Sequence, residues 1–119
     1  MRIAVTFLAG QIFGHFGKTK QFAIFDVEDK KVSSSHLVSC AGTEHQALAR
    51  FLKSNGVNVL ICGGISAEET DALSEAGIEF VANVQGNVRH AVEEYLMGTL
   101  RDNPVKYSGH YDYERGVNV

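Results

Sequence analysis

The 119-residue chain is poor in the residues that build metal-stapled or disulfide-stapled proteins: two cysteines, one proline and no tryptophan. Cys40 and Cys62 stand 22 positions apart with no C-x-x-C between them. This excludes a four-cysteine zinc site and a self-contained four-cysteine iron–sulfur centre. No apolar run approaches the roughly 18 residues of a membrane helix, and Met1-Arg2 leads directly into a strand-like run rather than a secretory leader. A cytoplasmic protein with no membrane partner is expected. Positive charge is also lacking, since 11 basic residues face 14 acidic ones for a net charge of −3. Nucleic acid, which is bound largely through phosphate neutralisation, is therefore not an expected partner. What remains is a chain with 45 % hydrophobic residues, enough for one core, and five histidines: His15, His36, His45, His90 and His110.

Hydrophobic periodicity divides the chain into short elements. Arg2 to Phe7 is a β-branched apolar run that reads as a buried strand. Leu8 to Gln21, with Gly10, Gly14 and Gly17, reads as a long functional loop. Phe22–Val27 and Val32–Val38 read as a hairpin turning at residues 28–31, its second arm an edge strand carrying three serines. From residue 43 the period lengthens. Thr43-Glu-His-Gln46 has the form of a capping box ahead of a helix ending near Gly56, and Val57–Cys62 is a strand. Ser66-Ala-Glu-Glu69 caps a second helix closed by Gly77, and Ile78–Ala82 is a further strand. Asn87 caps a third helix ended by Gly98. The order β-β-β-α-β-α-β-α predicts a three-layer α/β/α domain over residues 1–98. Its sheet would be five-stranded and mixed, with one antiparallel strand and helices on both faces. Residues 99–119, with the only proline and three of the four tyrosines, are expected to be an extended or partly disordered extension.

Ligands of open α/β sheets bind beyond the carboxyl ends of the parallel strands. That rule gathers His15, His45, His90, Cys40 and Cys62 at one edge of the predicted sheet and leaves His36 and His110 aside. His45 and His90 would lie in first helical turns, where the dipole favours the neutral, metal-binding imidazole. The same effect would favour a Cys62 thiolate. Gly63-Gly64 would let the backbone approach a ligand closely, and the free N–H groups beyond it would suit an anion. His15, in a glycine-rich loop, is the strongest single candidate.

These residues resemble the dinitrogenase iron–molybdenum cofactor biosynthesis family, the NifX-type cofactor carriers and their stand-alone relatives. The resemblance lies in Ile3-Ala-Val-Thr6, His15-Phe-Gly17, Phe22-Ala-Ile-Phe-Asp26, Cys62-Gly-Gly-Ile65, Ala76-Gly-Ile78, Val84-Gln-Gly86 and Ala91 to Leu96, and spans about residues 1–100. It implies a ribonuclease H-like fold and non-catalytic binding of the iron–molybdenum cofactor or an iron–sulfur precursor, exchanged with cluster donor and acceptor proteins. It assigns His15 as the exposed ligand and matches His45 to a position where members often place a histidine. On a carrier reading the metal ligands are expected to be His15 with His45 or Cys62, the cofactor pocket to include Gly17, Gly63, Gly64 and Gly86, and Lys18 and Lys20 to offset the cluster charge. Where the family often has a further cysteine shortly after the histidine, Ala47, Leu48 and Ala49 stand here. Two other readings stay open. One is a redox or interaction module using Cys40 and Cys62 or the tyrosine-rich tail. The other is an enzyme for an anionic small molecule, which the first strand disfavours because it carries no carboxylate.

Overall fold

The computed structural model describes residues 1–100. The residue 101–119 part of the expected extension, with His110 and the tail tyrosines, lies outside the described residues. Among the described residues six strands and three α-helices are formed: β1 Arg2–Leu8, β2 Gln11–Ile12, β3 Gln21–Glu28, β4 Lys31–Ser39, α1 Leu48–Ser54, β5 Val59–Ile61, α2 Ala67–Glu75, β6 Glu79–Val81 and α3 Val88–Met97. The sheet order is β4-β3-β1-β5-β6, with β2 paired only to β1. Along that five-strand path β3 alone runs against the others, since β1–β5 and β5–β6 are parallel while β1–β3 and β3–β4 are antiparallel.

The sixth strand departs from the sequence expectation. Ala9 at φ 52° and Gly10 at φ 86° fold the chain back at once, so that Phe7 pairs with Ile12 and Leu8 with Gln11. Part of the expected long loop is thus a small hairpin, and Ile12 is buried by it. The β3–β4 hairpin turns where expected, between Glu28 and Lys31. Asp29 and Lys30 both have positive φ, at 52° and 62°, the backbone of a type I′ turn made without glycine. A register shift follows between Asp26 and Val27, and a bulge of this kind blunts the exposed edge of β4.

The apolar residues of the strands alternate between two faces, and each face has its own core. Ala4, Phe22, Ile24 and Leu60 pack with Leu48, Leu52 and Leu73 of α1 and α2. Ile3, Val5, Phe25 and Ile61 pack with Val88, Ala91 and Val92 of α3. Helices therefore cover both faces, and the mixed α/β sheet is the middle layer. At the sheet edge away from the strand carboxyl ends, Arg2 Nε donates to Asp26 at 2.7 Å and its Nη1 to the Asn55 carbonyl at 2.7 Å, tying β1, β3 and the end of α1 together. That guanidinium, chiefly through its hydrogen bond, holds the Asp26 carboxyl below the usual range.

Two helix starts follow their sequence signals. Ser66 Oγ accepts from Glu69 N–H while Glu69 Oε1 accepts from Ser66 N–H, a complete capping box. Asn87 accepts from His90 N–H at 2.9 Å, and α3 ends on left-handed Gly98 at φ 79°. The Thr43 capping box does not form. Thr43 N–H is instead spent on the Cys40 carbonyl in a tight turn, a one-turn 3-10 helix covers His45–Ala47, and α1 begins only at Leu48, with no side chain capping it. His45 thus precedes α1 rather than sitting in its first turn. Among the described residues no helix is long and apolar enough to cross a membrane.

The strained hairpin turn yields a simple test. Replacing Lys30 by glycine removes a side chain from a left-handed position, and thermal unfolding is expected to show a gain of about 0.5–1 kcal/mol.

Candidate functional site

Three loops meet beyond the carboxyl ends of β1, β5 and β6, the three adjacent parallel strands. The contact that organises them is between backbones. Gly64 N–H donates to the Gly14 carbonyl at 2.7 Å, Phe16 N–H donates to the Gly64 carbonyl at 2.9 Å, and His15 and Gly64 form a parallel bridge. A Cβ on Gly63 would stand 2.7 Å from the Gly14 Cα and 2.8 Å from the Phe13 carbonyl oxygen. One on Gly64 would stand 3.1 Å from the Gly14 oxygen. The glycine pair was expected to admit a ligand. Its close approach is instead to the His15 loop, which could not cross the end of β5 over any side chain.

The loop is fixed from below as well. Thr6 Oγ1 donates to the Phe13 carbonyl at 3.0 Å, and Thr19 Oγ1 to the His15 carbonyl at 3.2 Å. Phe16 is 1 % exposed and joins the core of the α1–α2 face beside Phe22. With Phe16 buried, its neighbour His15 is left exposed, its ring set edge-on to Phe13 with centroids 6.2 Å apart. The sequence His15-Phe16-Gly17 therefore couples an anchored aromatic to an outward imidazole.

Behind the loop lies a cavity of about 670 Å³, within the roughly 300–1,000 Å³ usual for small-ligand sites. Gly14 to Lys18 form one wall, Gly63 to Ser66 with Glu69 a second, and Asn83 to Gln85 a third. Its charged groups are Lys18 and Glu69, and Glu69 is already engaged in the α2 cap. The Gly64 amide is committed to Gly14, and the Ser66 amide, among those beyond the glycine pair expected to suit an anion, is committed to Glu69.

Asn83 was not foreseen from the sequence. It follows β6 with φ 58°, a left-handed backbone that asparagine tolerates better than most residues, and its N–H donates to the Gly63 carbonyl at 2.9 Å. The residue is 6 % exposed and its Nδ2 has no hydrogen-bond partner. An unsatisfied buried donor costs about 1–3 kcal/mol. The available signal was Asn83 itself, an isolated polar residue immediately after an apolar strand at the ligand-binding edge.

The remaining sequence candidates separate. His15, Gly17, Gly63 and Gly64 line the cavity. Gly86 does not; at φ 110° its carbonyl accepts from Ile12 N–H at 2.8 Å and holds β2 in place. The His45 backbone opens the 3-10 turn, and its side chain lies outside the described set. His90 is exposed on α3 with Nε2 3.2 Å from Glu94, away from the cavity walls. Cys62, expected to present a thiolate, is fully buried in the core and is not among the cavity walls. It is the last residue of a run whose register points it beneath the sheet rather than out of its end. Cys40 is buried too; its Sγ donates to the Thr19 carbonyl at 3.2 Å, and burial pushes its thiol pKa up. Neither cysteine is in a disulfide. Among the described residues no three His, Cys, Asp or Glu side chains converge to hold a metal ion.

The sequence profile of the family described as dinitrogenase iron-molybdenum cofactor matches residues 1–98. The chain belongs to that family. Its role is accordingly related to biosynthesis of the iron–molybdenum cofactor or a related cluster, and the family is of a cofactor-binding type. No curated protein sequence matches the chain. Among solved structures, PH0822 is similar at TM-score 0.81 and 24 % identity, covering 87 % of this chain and 95 % of its own. The apo form of the orange protein from Desulfovibrio gigas is similar at TM-score 0.72 and 26 % identity, over 86 % and 92 %. MJ0327 from Methanocaldococcus jannaschii shares the fold at TM-score 0.68 and 23 % identity, over 83 % and 90 %.

The Gly63 crossing makes a sharp prediction. Gly63→Ala places a methyl against backbone that cannot move aside cheaply, so denaturant unfolding should show a loss of about 1–3 kcal/mol. Gly86→Ala should also be destabilising, but through its left-handed backbone alone, because no atom lies within 4 Å of its added Cβ.

Proposed function

We propose that the protein binds and carries a preassembled metal–sulfur cluster, the iron–molybdenum cofactor or an iron–sulfur precursor of it, as cargo and without transforming it. The observation that carries this reading is the donor set of the cavity: one exposed imidazole, His15, at the mouth, and one uncommitted amide, Asn83, in the wall. A finished cluster brings its own sulfides, so it needs from a protein only one or two ligands and a shaped space. A single metal ion bound by protein alone would need three or four converging ligands.

His15 is the residue that would bind an exposed iron of the cargo, with His45 the second candidate from the turn after β4. Cys62 is a poor partner in this arrangement because its side chain is buried in the core. Gly63 and Gly64 shape the site by bringing the His15 loop across the strand end, and Gly17 follows in the same wall. Lys18, at the cavity, supplies positive charge toward an anionic cluster. The exposed mouth suits exchange with a donor and an acceptor protein. An enzyme reading has little support, since the only carboxylate at the cavity is Glu69, held in a helix cap.

Anaerobic titration with isolated iron–molybdenum cofactor or a synthetic iron–sulfur cluster, followed by absorption, tests the reading. Wild type should bind at about one cluster per chain, and His15→Ala should bind at least about tenfold more weakly. His90→Ala, remote from the cavity, should bind as wild type does. Equal binding by wild type and His15→Ala would overturn the assignment of His15.

A further inference from the structure

The Asn83 Nδ2 is the one buried side-chain nitrogen or oxygen among the described residues that has no hydrogen-bond partner. Its setting makes that unusual. The backbone at 83 is left-handed, a conformation in which glycine would carry neither the torsional cost nor an orphaned donor. The chain nevertheless keeps a side chain there, buries it, and holds its backbone against the Gly63 carbonyl. Gly63 in turn is clamped under Gly14, so Asn83 and the His15 loop are fixed to the same junction. Both residues line the same cavity. Left-handed backbone, burial and an unspent donor together describe a group prepared for an acceptor that arrives from outside.

We infer that Asn83 is a binding residue for the cargo, its Nδ2–H donating to a sulfide of the bound cluster while His15 holds the cluster at the mouth; this rests on the carriage reading above. The chemistry is consistent on both sides. Cluster sulfides are acceptors, hydrogen bonds to them stabilise and tune the cluster, and a neutral amide donates without adding a competing metal ligand. The assignment also gives the cavity a depth criterion: a ligand that reaches only His15 leaves the buried donor unsatisfied, and one that fills the space engages both. A compact, acceptor-rich anion is selected over a bare metal ion, which has no acceptor to offer.

Two substitutions and one spectroscopic signal test this. Asn83→Gly relieves the left-handed backbone and removes the donor; Asn83→Asp keeps the shape and replaces the donor by an acceptor. Asn83→Gly should keep the thermal stability of the cluster-free protein at or above wild type, whereas Asn83→Asp buries a carboxylate and should lower it; each should bind a synthetic iron–sulfur cluster about tenfold more weakly. In wild type, the Asn83 side-chain amide resonance should move when a diamagnetic form of the cluster is added, and should stay in place with inorganic phosphate. Wild-type binding that neither substitution weakens would overturn the Asn83 assignment and leave carriage standing. A wild type that takes up no cluster would overturn carriage and the inference with it. An amide that responds to phosphate and not to the cluster would overturn the sulfide pairing in favour of an oxyanion site.

Discussion

The candidate site depends on one backbone crossing. The segment Phe13–Phe16 lies directly on Gly63 and Gly64, at a distance that leaves no room for a Cβ on residue 63. Two hydrogen bonds, between Gly64 N–H and Gly14 O and between Phe16 N–H and Gly64 O, then fix the relative height of the two loops. Because Gly63 also accepts from Asn83 N–H, the third loop is registered to the same point. The cavity is thus the space left when three loops are pinned at one junction, and its walls belong to the sheet rather than to freely moving segments. Interiors packed without spare volume transmit such constraints efficiently.

The crossing also explains which residues face outward. Once Gly14 is held against β5, Phe16 can reach the core between β3 and α1, where it approaches Phe22. Burial of Phe16 fixes the chain direction, and His15 one residue earlier must then point away from the core. The 3-10 turn that follows, with Lys18 N–H and Thr19 Oγ1 both donating to the His15 carbonyl, keeps the imidazole at the mouth of the cavity. An exposed side chain is commonly mobile, but the His15 carbonyl accepts two hydrogen bonds from the turn that follows it.

Much of this architecture was legible in the sequence because it is written in local patterns. The apolar runs of β1, β3 and β5, the Ser66–Glu69 box, Asn87 and Gly98 each announce an element within a few residues of where it forms. The failures share a different cause. Thr43 has the right neighbours for a cap, yet its N–H closes a turn onto Cys40, whose own N–H is held by Lys20 O in the loop before β3. Gly63-Gly64 reads as a ligand cradle because sequence shows that a side chain is absent; both glycines do line the cavity, but that the His15 loop also fills the gap is a matter of long-range register. Cys62 was misread for the related reason that a strand end can point either into or out of the sheet edge. Asn83 stands out in the chain only as a polar residue after an apolar strand, and that its donor is unpaired is a property of its surroundings. Local propensity is readable in order along the sequence; long-range register is not.

The buried thiols bear on how a cargo would be handled. Thiolates bind iron tightly and exchange slowly unless another thiol attacks, whereas an imidazole and a hydrogen-bonding amide make weaker, more readily exchanged contacts. Cys40 is drawn inward by the Thr19 carbonyl and its ionisation is disfavoured by burial, and Cys62 is packed among the apolar residues under α1 and α2. Both sulfurs are thereby withheld from the cavity mouth. A carrier needs affinity enough to protect a cluster and lability enough to surrender it, and affinity gained through shape and several weak donors can be lost stepwise as an acceptor approaches. On the carriage proposed above, a chain whose thiols are spent on the core would hold its cargo by that kind of affinity.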